Sequence, residues 1–554
     1  MTSYTPELVQ KFLLEIQKEF VSRESFDERD FAKLKNEFSK ANGVPNVRNT
    51  DLIQCYYALV ESKKMKEDAG LLRVISRRKV RSESGVTVIT CLTKPMGCPG
   101  KCIYCPSEPN MPKSYLSNQP AAMRAVLNRF DPFAQVQNRL ASLMATGHNT
   151  SKIEIIIIGG TWGALPDSYK EEFMTGIYNG LNQKIEVSEI RQKAEFFEVP
   201  KIEQLLNDPL DVAIAKNETS EYRCVGLTVE TRPDWVTEKE IIQMRDFGVT
   251  RVEMGVQSLD DEVQILTKRG HDIQAVRDAT KLLRDSAIKI GYHLMPGLPG
   301  STLEIDMNAL RETFSDPDFR PDWLKLYPCM VTKFSDLEEW FNDGRFKPLT
   351  EVELIPLLTE MMKVVPRYLR LTRMIRDIPS QSIQGGCKTI NLRQIVEQKM
   401  AKEGIICEDI RSREIKTASL SADDVELRSL RYKAGDGEEI FLTFDQIKED
   451  KLISLLRLRI PSYHFSGEKP FLSELEGCSF IREVHTYGLL TKIGALDGNS
   501  QHFGFGRRLL AEAERITKEE FGMSRIAVIA GVGVREYYKK FGYEKKGTYM
   551  VKEL

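Results

Sequence analysis

Apolar residues recur at helical spacing over 7–20 and 31–40, which predicts two amphipathic helices in a charged N-terminal leader of about 60 residues. From about residue 85 to 330 the pattern changes. Short β-rich runs at 86–91, 154–158, 224–229, 251–256, 289–294 and 324–326 alternate with amphipathic stretches such as 123–144, 237–247 and 273–286. Such alternation predicts parallel βα units closing into a full or partial barrel. A second pattern begins near 411: strand-like runs at 439–442, 452–459 and 480–490, a Gly-rich turn opening a helix over 503–514, a strand at 526–529 and a short helix near 534–541. That is a mixed α/β domain of about 140 residues, an ordinary domain size. The expected organisation is therefore α/β: a helical N-terminal segment (1–80), a partial barrel (81–380), a linker (381–410) that starts in the Pro/Ser/Gly-bearing stretch 379–386, and the mixed domain (411–554).

Composition agrees with several domains. The 554 residues exceed what one core organises, and 41% hydrophobic with 29% charged residues is the balance of a soluble globular protein. The longest apolar run, around 153–158, is strand-sized, and the N-terminus lacks the form of a signal peptide, so the cytosol is the expected compartment and no membrane partner is expected. The net charge of −1 hides one basic tract: between 61 and 82 there are eight basic residues, including Arg77, Arg78, Lys79 and Arg81, against three acidic ones. That tract suits either a solvated helix face or contact with phosphates.

The ten cysteines are clustered, which in a chain without secretory features points to metal or redox chemistry. The string C-P-G-K-C-I-Y-C places Cys98, Cys102 and Cys105 directly after the first barrel strand. Three thiolates can hold three irons of a cubane and leave the fourth open. Zinc with Cys91 as a fourth ligand, or a disulfide, are the alternatives. The spacing resembles the signature of the radical S-adenosylmethionine (SAM) superfamily. The resemblance implies a 4Fe-4S cluster whose open iron chelates SAM, and it gives the turn Gly159-Gly160 after the second strand a place against the methionine end. R-V-E-M-G-V-Q-S (251–258), followed by Lys268-Arg269-Gly270, is similar to the oxygen-independent coproporphyrinogen oxidase type and implies SAM contacts for Gln257 and Arg269. His293, in G-Y-H-L-M-P-G-L-P-G, fits an interior histidine better than a ligand.

The other strong string is Q-H-F-G-F-G-R (501–507), opening a helix. Glycines at a helix N-terminus let backbone N–H groups face an anion, and a pyrophosphate suits that position. This Q-x-x-G-x-G form resembles the acetyl-CoA loop of GNAT acetyltransferases, as do G-V-G-V and R-E-Y-Y-K-K-F-G-Y near the C-terminus. Tyr537 and Tyr538 fall where such domains place a tyrosine beside the thioester.

A radical SAM barrel followed by a GNAT domain is similar to the catalytic subunit of Elongator and its stand-alone prokaryotic relatives, over about residue 75 to the C-terminus. The strings Ala122-Met123-Arg124-Ala125, Arg129-Phe130-Asp131-Pro132, G-L-T-V-E-T-R-P-D (226–234), L-K-L-Y-P (324–328) and R-E-V-H-T-Y-G (482–488) carry the likeness. It implies modification of the wobble uridine of tRNA, with a carboxymethyl-type group installed at carbon 5. A radical drawn from SAM would abstract hydrogen from the acetyl methyl of acetyl-CoA. It further implies acetyl-CoA contacts, or catalytic roles beside it, for Lys152, Glu483, Val484, His485, Thr486, Gln501, Gly504, Phe505, Gly506, Arg507 and Tyr538. The expected partners are tRNA, through its anticodon stem-loop and the tract at Arg77–Arg81, and an electron donor. Only three residues separate the first two cluster cysteines, which points to a stand-alone member and away from the other Elongator subunits; a homodimer is left open. Cys329, Cys387 and Cys407 flank the linker and form a candidate zinc set. Two other functions compete: a protein lysine acetyltransferase with a structural cluster, and a non-catalytic tRNA-binding scaffold.

Overall fold

The computed structural model describes residues 4–23, 26–76, 85–185, 206–415, 424–487 and 504–554. Four helices come first: Pro6–Ser22, Glu28–Ala41, Asn49–Glu61 and Ala69–Ile75. Side chains of Thr5, Asp27 and Asp68 cap three of them. Their apolar faces meet in a small core of their own, in which Phe12 stacks on Phe38 with ring centroids 4.3 Å apart.

The barrel is a seven-stranded parallel sheet built from β1 (Thr87–Leu92), β2 (Lys152–Ile158), β3 (Arg223–Thr231), β4 (Arg251–Gln257), β5 (Lys289–Leu294) and β6 (Trp323–Leu326). A two-residue strand, β7 (Val331–Thr332), follows, and β8 (Arg370–Arg373) completes the sheet as its last member. β1 and β8 are its edges, so the barrel is partial. Ile153, Ile155 and Ile157 of β2 turn outward onto the helices Pro132–Ala145 and Asp167–Asn182, while Lys152, Glu154 and Ile156 turn into the lumen.

Two expectations are corrected here. The stretch 123–144 is two helices, Pro120–Leu127 and Pro132–Ala145. Arg129 and Phe130 both take positive φ, and Asp131 caps a new helix that has Pro132 at its first position, so one continuous helix cannot form. The stretch expected as a linker is ordered and packed. β9 (Ile383–Gly385) pairs antiparallel with β7, and the helix Leu392–Lys402 buries Leu392, Val396 and Met400.

The C-terminal sheet runs β10 (Val425–Ala434), β11 (Gly437–Gln446), β12 (Lys451–Ile460), β13 (Cys478–Thr486), β14 (Arg525–Val528), β15 (Glu544–Lys546) and β16 (Tyr549–Glu553), in spatial order β10-β11-β12-β13-β14-β16-β15. Every pairing is antiparallel except β13 with β14. That parallel pair extends only over Cys478–Ile481 and then splays. Among the described residues, the backbone of Glu483–Thr486 therefore has one edge that no strand pairs, in a wedge beside the helix Phe505–Arg515.

The two sheets are fastened by close backbone approach and by buried charge. A Cβ on Gly531 would lie 2.2 Å from the Val225 carbonyl oxygen, and one on Gly533 would lie 2.5 Å from Arg223 Cβ, so this turn rests directly on β3. Arg482 donates to Asp322 and to Glu439, Arg457 reaches Asp322 at 3.6 Å, and Arg459 holds Asp285 at 2.6 Å. All four of Arg457, Arg482, Asp322 and Glu439 are buried.

Candidate functional site

One cavity of about 2370 Å³ runs through the barrel lumen and out beneath the C-terminal sheet. At the ends of the strands that carry the first loop it is lined by Cys98, Cys102 and Cys105, with Gly160, Gln257 and Arg269. At the other end it is lined by Lys152, by Glu483–Thr486 on β13, by Gly504–Arg507, and by Tyr537 and Tyr538.

The thiols sit on the loop after β1. Gly100 donates its N–H to Cys98 Sγ at 3.4 Å, and Thr161 Oγ1 lies 3.7 Å from the same sulfur. Cys102 and Cys105 form a hydrogen-bonded pair. The bond from Cys105, with the Arg269 guanidinium 3.4 Å away, pulls the Cys102 thiol down to about 4 against the effect of burial. The same bond, with burial, holds the Cys105 thiol well above its ordinary value, so the two share a proton and Cys102 carries the thiolate beside Arg269. The three sulfurs do not all lie within reach of a single ion.

The SAM-side groups also fit their expected ligand. Gly159 and Gly160 take φ of 136° and 109°; a Cβ on Gly159 would fall 2.0 Å from Thr93 Oγ1, whereas beside Gly160 only Lys113 O lies within 4 Å. Gln257 sits on a β4 irregularity with φ of 73°, and its Oε1 is buried without a hydrogen-bond partner. Strain and an orphaned acceptor together mark a residue held for a ligand. Arg269, which lines the cavity, donates to Cys102 Sγ and to the Gly255 carbonyl.

At the other end, where the sequence predicts acetyl-CoA contacts, Gly504 opens the helix Phe505–Arg515 with φ of 72°, and a Cβ on Gly506 would meet Tyr537 Oη at 3.2 Å. Tyr537 Oη therefore stands against the Gly-rich turn. Tyr538 is the more buried of the two, and burial raises its phenol further above its ordinary value. Burial lowers His485 to about 4, with Nε2 left unpartnered. Thr486 Oγ1 shares a hydrogen bond of 2.9 Å with Ser454. The Glu483 carboxylate is engaged by Arg457 at 2.8 Å and Lys289 at 3.6 Å, so only its backbone faces the wedge. Lys152 has its ammonium lowered by burial and by Arg223. Gln501 and the tract Arg77, Arg78, Lys79 and Arg81 lie outside the described residues.

The candidate zinc cysteines are not brought together. Among the described residues the only group of three or more ligand atoms close enough for one ion is Glu230, Glu253 and His293, so Cys329, Cys387 and Cys407 do not meet. Cys387 faces Glu351, Cys407 faces Asp409, and burial keeps both thiols protonated.

Between the two ends lies a charge cluster that sequence reasoning missed. His293 Nε2 is 2.9 Å from Glu253, Lys325 is paired with Glu253 and lies 3.4 Å from Glu230, and Tyr115 donates to Glu230 at 2.8 Å. Burial alone would raise the Glu253 carboxyl; Lys325 and His293 overcome it and hold it well below its ordinary value. The Lys325 ammonium occupies the place a cation would take. G-L-T-V-E-T-R-P-D contained Glu230, but nothing in the string signalled its partners.

The Radical SAM superfamily model matches residues 94–310, and that of the Radical_SAM C-terminal domain matches 321–402, which makes the barrel a radical SAM domain. Relatives extend over nearly the whole chain. A protein of Methanocaldococcus infernus named tRNA uridine(34) acetyltransferase is 39% identical, covering 97% of this chain and 98% of that protein, and the human Elongator complex protein 3 is 36% identical over 87% of each. The solved structure of the archaeal Methanocaldococcus infernus Elp3, deleted of residues 1–46, superposes with a TM-score of 0.71 at 37% identity, covering 85% of this chain and 99% of that one. The chain belongs to the Elongator complex protein 3 family. No helix among the described residues is long and apolar enough to cross a membrane.

Proposed function

We propose that this chain modifies the wobble uridine of tRNA, using SAM radical chemistry on acetyl-CoA to install a carboxymethyl group at carbon 5. The observation that carries the reading is the single cavity with the thiols at one end and the GNAT-type wedge at the other. The names of the relatives, which specify uridine 34 of tRNA, support the substrate. A cluster on Cys98, Cys102 and Cys105 with SAM beside Gln257 would supply a 5′-deoxyadenosyl radical, reactive enough to take hydrogen from an acetyl methyl.

The chain's own residues account for the rest. Backbone N–H groups at Gly504–Arg507 face the position of a pyrophosphate at a helix N-terminus. The edge of Glu483–Thr486 that no described strand pairs can bond the amides of a pantetheine arm. Tyr537 Oη, against the Gly-rich turn, can donate to the thioester oxygen during its hydrolysis. A wobble base must leave the anticodon stack to enter such a cavity.

The test is anaerobic incubation of reconstituted enzyme with SAM, acetyl-CoA, a reductant and tRNA, followed by mass spectrometry of the nucleosides. Carboxymethyl-uridine should form, and should vanish in Cys98→Ala, Cys102→Ala and Cys105→Ala. Acetyl transfer to lysine that survives those substitutions, with no modified uridine, would make the protein a lysine acetyltransferase.

A further inference from the structure

No step described above uses the charge cluster in the middle of the cavity. Four neighbouring strands build it: Glu230 on β3 lies in register with Glu253 on β4, and His293 on β5 with Lys325 on β6. β4 and β5 pair directly, and all four side chains line the lumen. Along β4, Glu253 stands between Gln257, on the SAM side, and Arg251, whose partner Glu154 at 2.6 Å is two residues from Lys152.

The two carboxylates are not equivalent. Glu253 is 2% exposed and fully engaged, by Lys325, by His293 Nε2 at 2.9 Å and by Arg251 Nε at 3.5 Å. Glu230 is more open, at 16%. Its Oε2 accepts from Tyr115 at 2.8 Å, and Arg376 holds that residue by lying over its ring and donating to the Ser114 carbonyl at 2.6 Å. Its Oε1 has the Lys325 ammonium at 3.4 Å, and His293 Nε2 only at 3.9 Å. A carboxylate oxygen carries two lone pairs and an ammonium three protons. Oε1 therefore keeps a lone pair for a ligand, and Lys325, shared between Glu253 and Glu230, keeps a proton beside it.

An acceptor and a donor side by side restrict what can dock. Lys325 fills the place of a cation and Glu230 repels a phosphate, so the fitting ligand is neutral, with an N–H next to a carbonyl. The edge of uracil offers this pattern, its N3–H flanked by O2 and O4. Cytosine would instead turn the lone pair of its N3 toward the Glu230 carboxylate, a repulsive contact that rejects it.

We infer that Glu230 and Lys325 read the imide edge of the flipped wobble base: Glu230 Oε1 accepts from N3–H, Lys325 donates to the adjoining carbonyl, and Tyr115 positions the carboxylate. The inference rests on the wobble-uridine reading above and adds to it the residues that recognise the base. A uracil held by this edge leaves carbon 5 unbonded and open to attack.

The experiment compares tRNA bearing uridine at the wobble position with the same tRNA bearing N3-methyluridine there, which keeps carbon 5 but has no proton on N3. Full-length reconstituted wild type, Glu230→Ala and Glu230→Gln are assayed anaerobically with SAM, acetyl-CoA and reductant, and kcat/KM for each RNA is read from the modified nucleoside by mass spectrometry. Wild type should prefer uridine roughly ten- to hundredfold, the scale of a paired base-edge contact. Glu230→Ala should shrink the preference to about threefold or less by slowing uridine alone, with N3-methyluridine modified as fast as by wild type or faster. Glu230→Gln, whose amide oxygen still accepts, should show an intermediate preference. Affinity for the whole tRNA should stay within about threefold of wild type, because phosphate contacts supply most of it. A wild type without the preference, a Glu230→Ala enzyme that keeps it, or one that loses both substrates equally overturns the inference. If Glu230→Ala does not fold, Glu230→Gln decides: an unchanged preference overturns the inference and a reduced one supports it. A wild type that forms no carboxymethyl-uridine overturns the functional reading, and the inference with it.

Discussion

Asp322→Asn removes one charge from the seam between the two domains. Asp322 is 1% exposed, accepts from both Nη atoms of Arg482 and from the Ile290 N–H at 2.8 Å, and lies 3.6 Å from Arg457. The amide keeps the shape but leaves Arg482 and Arg457, each about as buried, with only Glu439 and Glu483 for balance. Breaking a buried pair at one partner costs about 3 to 5 kcal/mol, because the charge left behind is uncompensated. The same substitution changes the acid dependence. Burial would raise the Asp322 carboxyl, but Arg482 and Arg457 together hold it below its ordinary value. A depressed carboxylate contributes stability that is complete above the unfolded value of about 3.9, and that is lost as pH falls through the folded one. Urea unfolding followed by a fluorophore at the seam, between pH 7 and pH 3, should therefore show an early transition for Asp322→Asn at neutral pH and a shallower acid loss than wild type. The double variant Asp322→Leu/Arg482→Met should recover part of the loss. Equal midpoints for wild type and Asp322→Asn at pH 7, or a double variant that is the sum of its parts, would refute the idea that this network fastens the domains.

Other substitutions test neighbouring features. Gly531→Ala and Gly533→Ala force a methyl into the backbone of β3 and should destabilise the same seam by about 1 to 3 kcal/mol, read as release of the C-terminal domain in limited proteolysis. His485, lowered to about 4 by burial, binds fewer protons folded than unfolded between pH 4 and 6.5; stability therefore rises with pH across that window, and His485→Gln should flatten the rise in calorimetric melting. Gln257→Ala removes the orphaned acceptor and should weaken SAM binding about tenfold by calorimetry while leaving acetyl-CoA binding intact. Replacing Cys329, Cys387 and Cys407 by Ser should leave the metal content of purified protein unchanged, because their sulfurs do not meet.

Strand positions inside the barrel were legible because parallel strands buried on both faces read as near-continuous apolar runs, as at 153–158. β10 was not legible: it is an edge strand with charged residues Glu426, Arg428, Arg431 and Lys433, and most of its side chains stand exposed or half-buried. The helix Asn49–Glu61 lacks a side-chain cap and gave no start signal. The break at Arg129 and Phe130 depends on two left-handed residues that propensity assigns to neither. Candidate site residues came from local strings, so the thiol loop and the Gly-rich turn were found, whereas Glu253, His293 and Lys325, on three different strands, form a unit only when the sheet curls. The zinc expectation likewise joined Cys329, Cys387 and Cys407 by position along the chain, and their sulfurs are not gathered within reach of one ion.

Isotope transfer between the two ends of the cavity is the most direct measurement. Enzyme supplied with SAM, tRNA, reductant and acetyl-CoA bearing a trideuterated methyl should yield 5′-deoxyadenosine one mass unit heavier and a uridine carrying a carboxymethyl group with two deuteriums. Unlabelled 5′-deoxyadenosine alongside modified uridine would mean that the radical never reaches the acetyl group, and would contradict a shared chamber for SAM and acetyl-CoA.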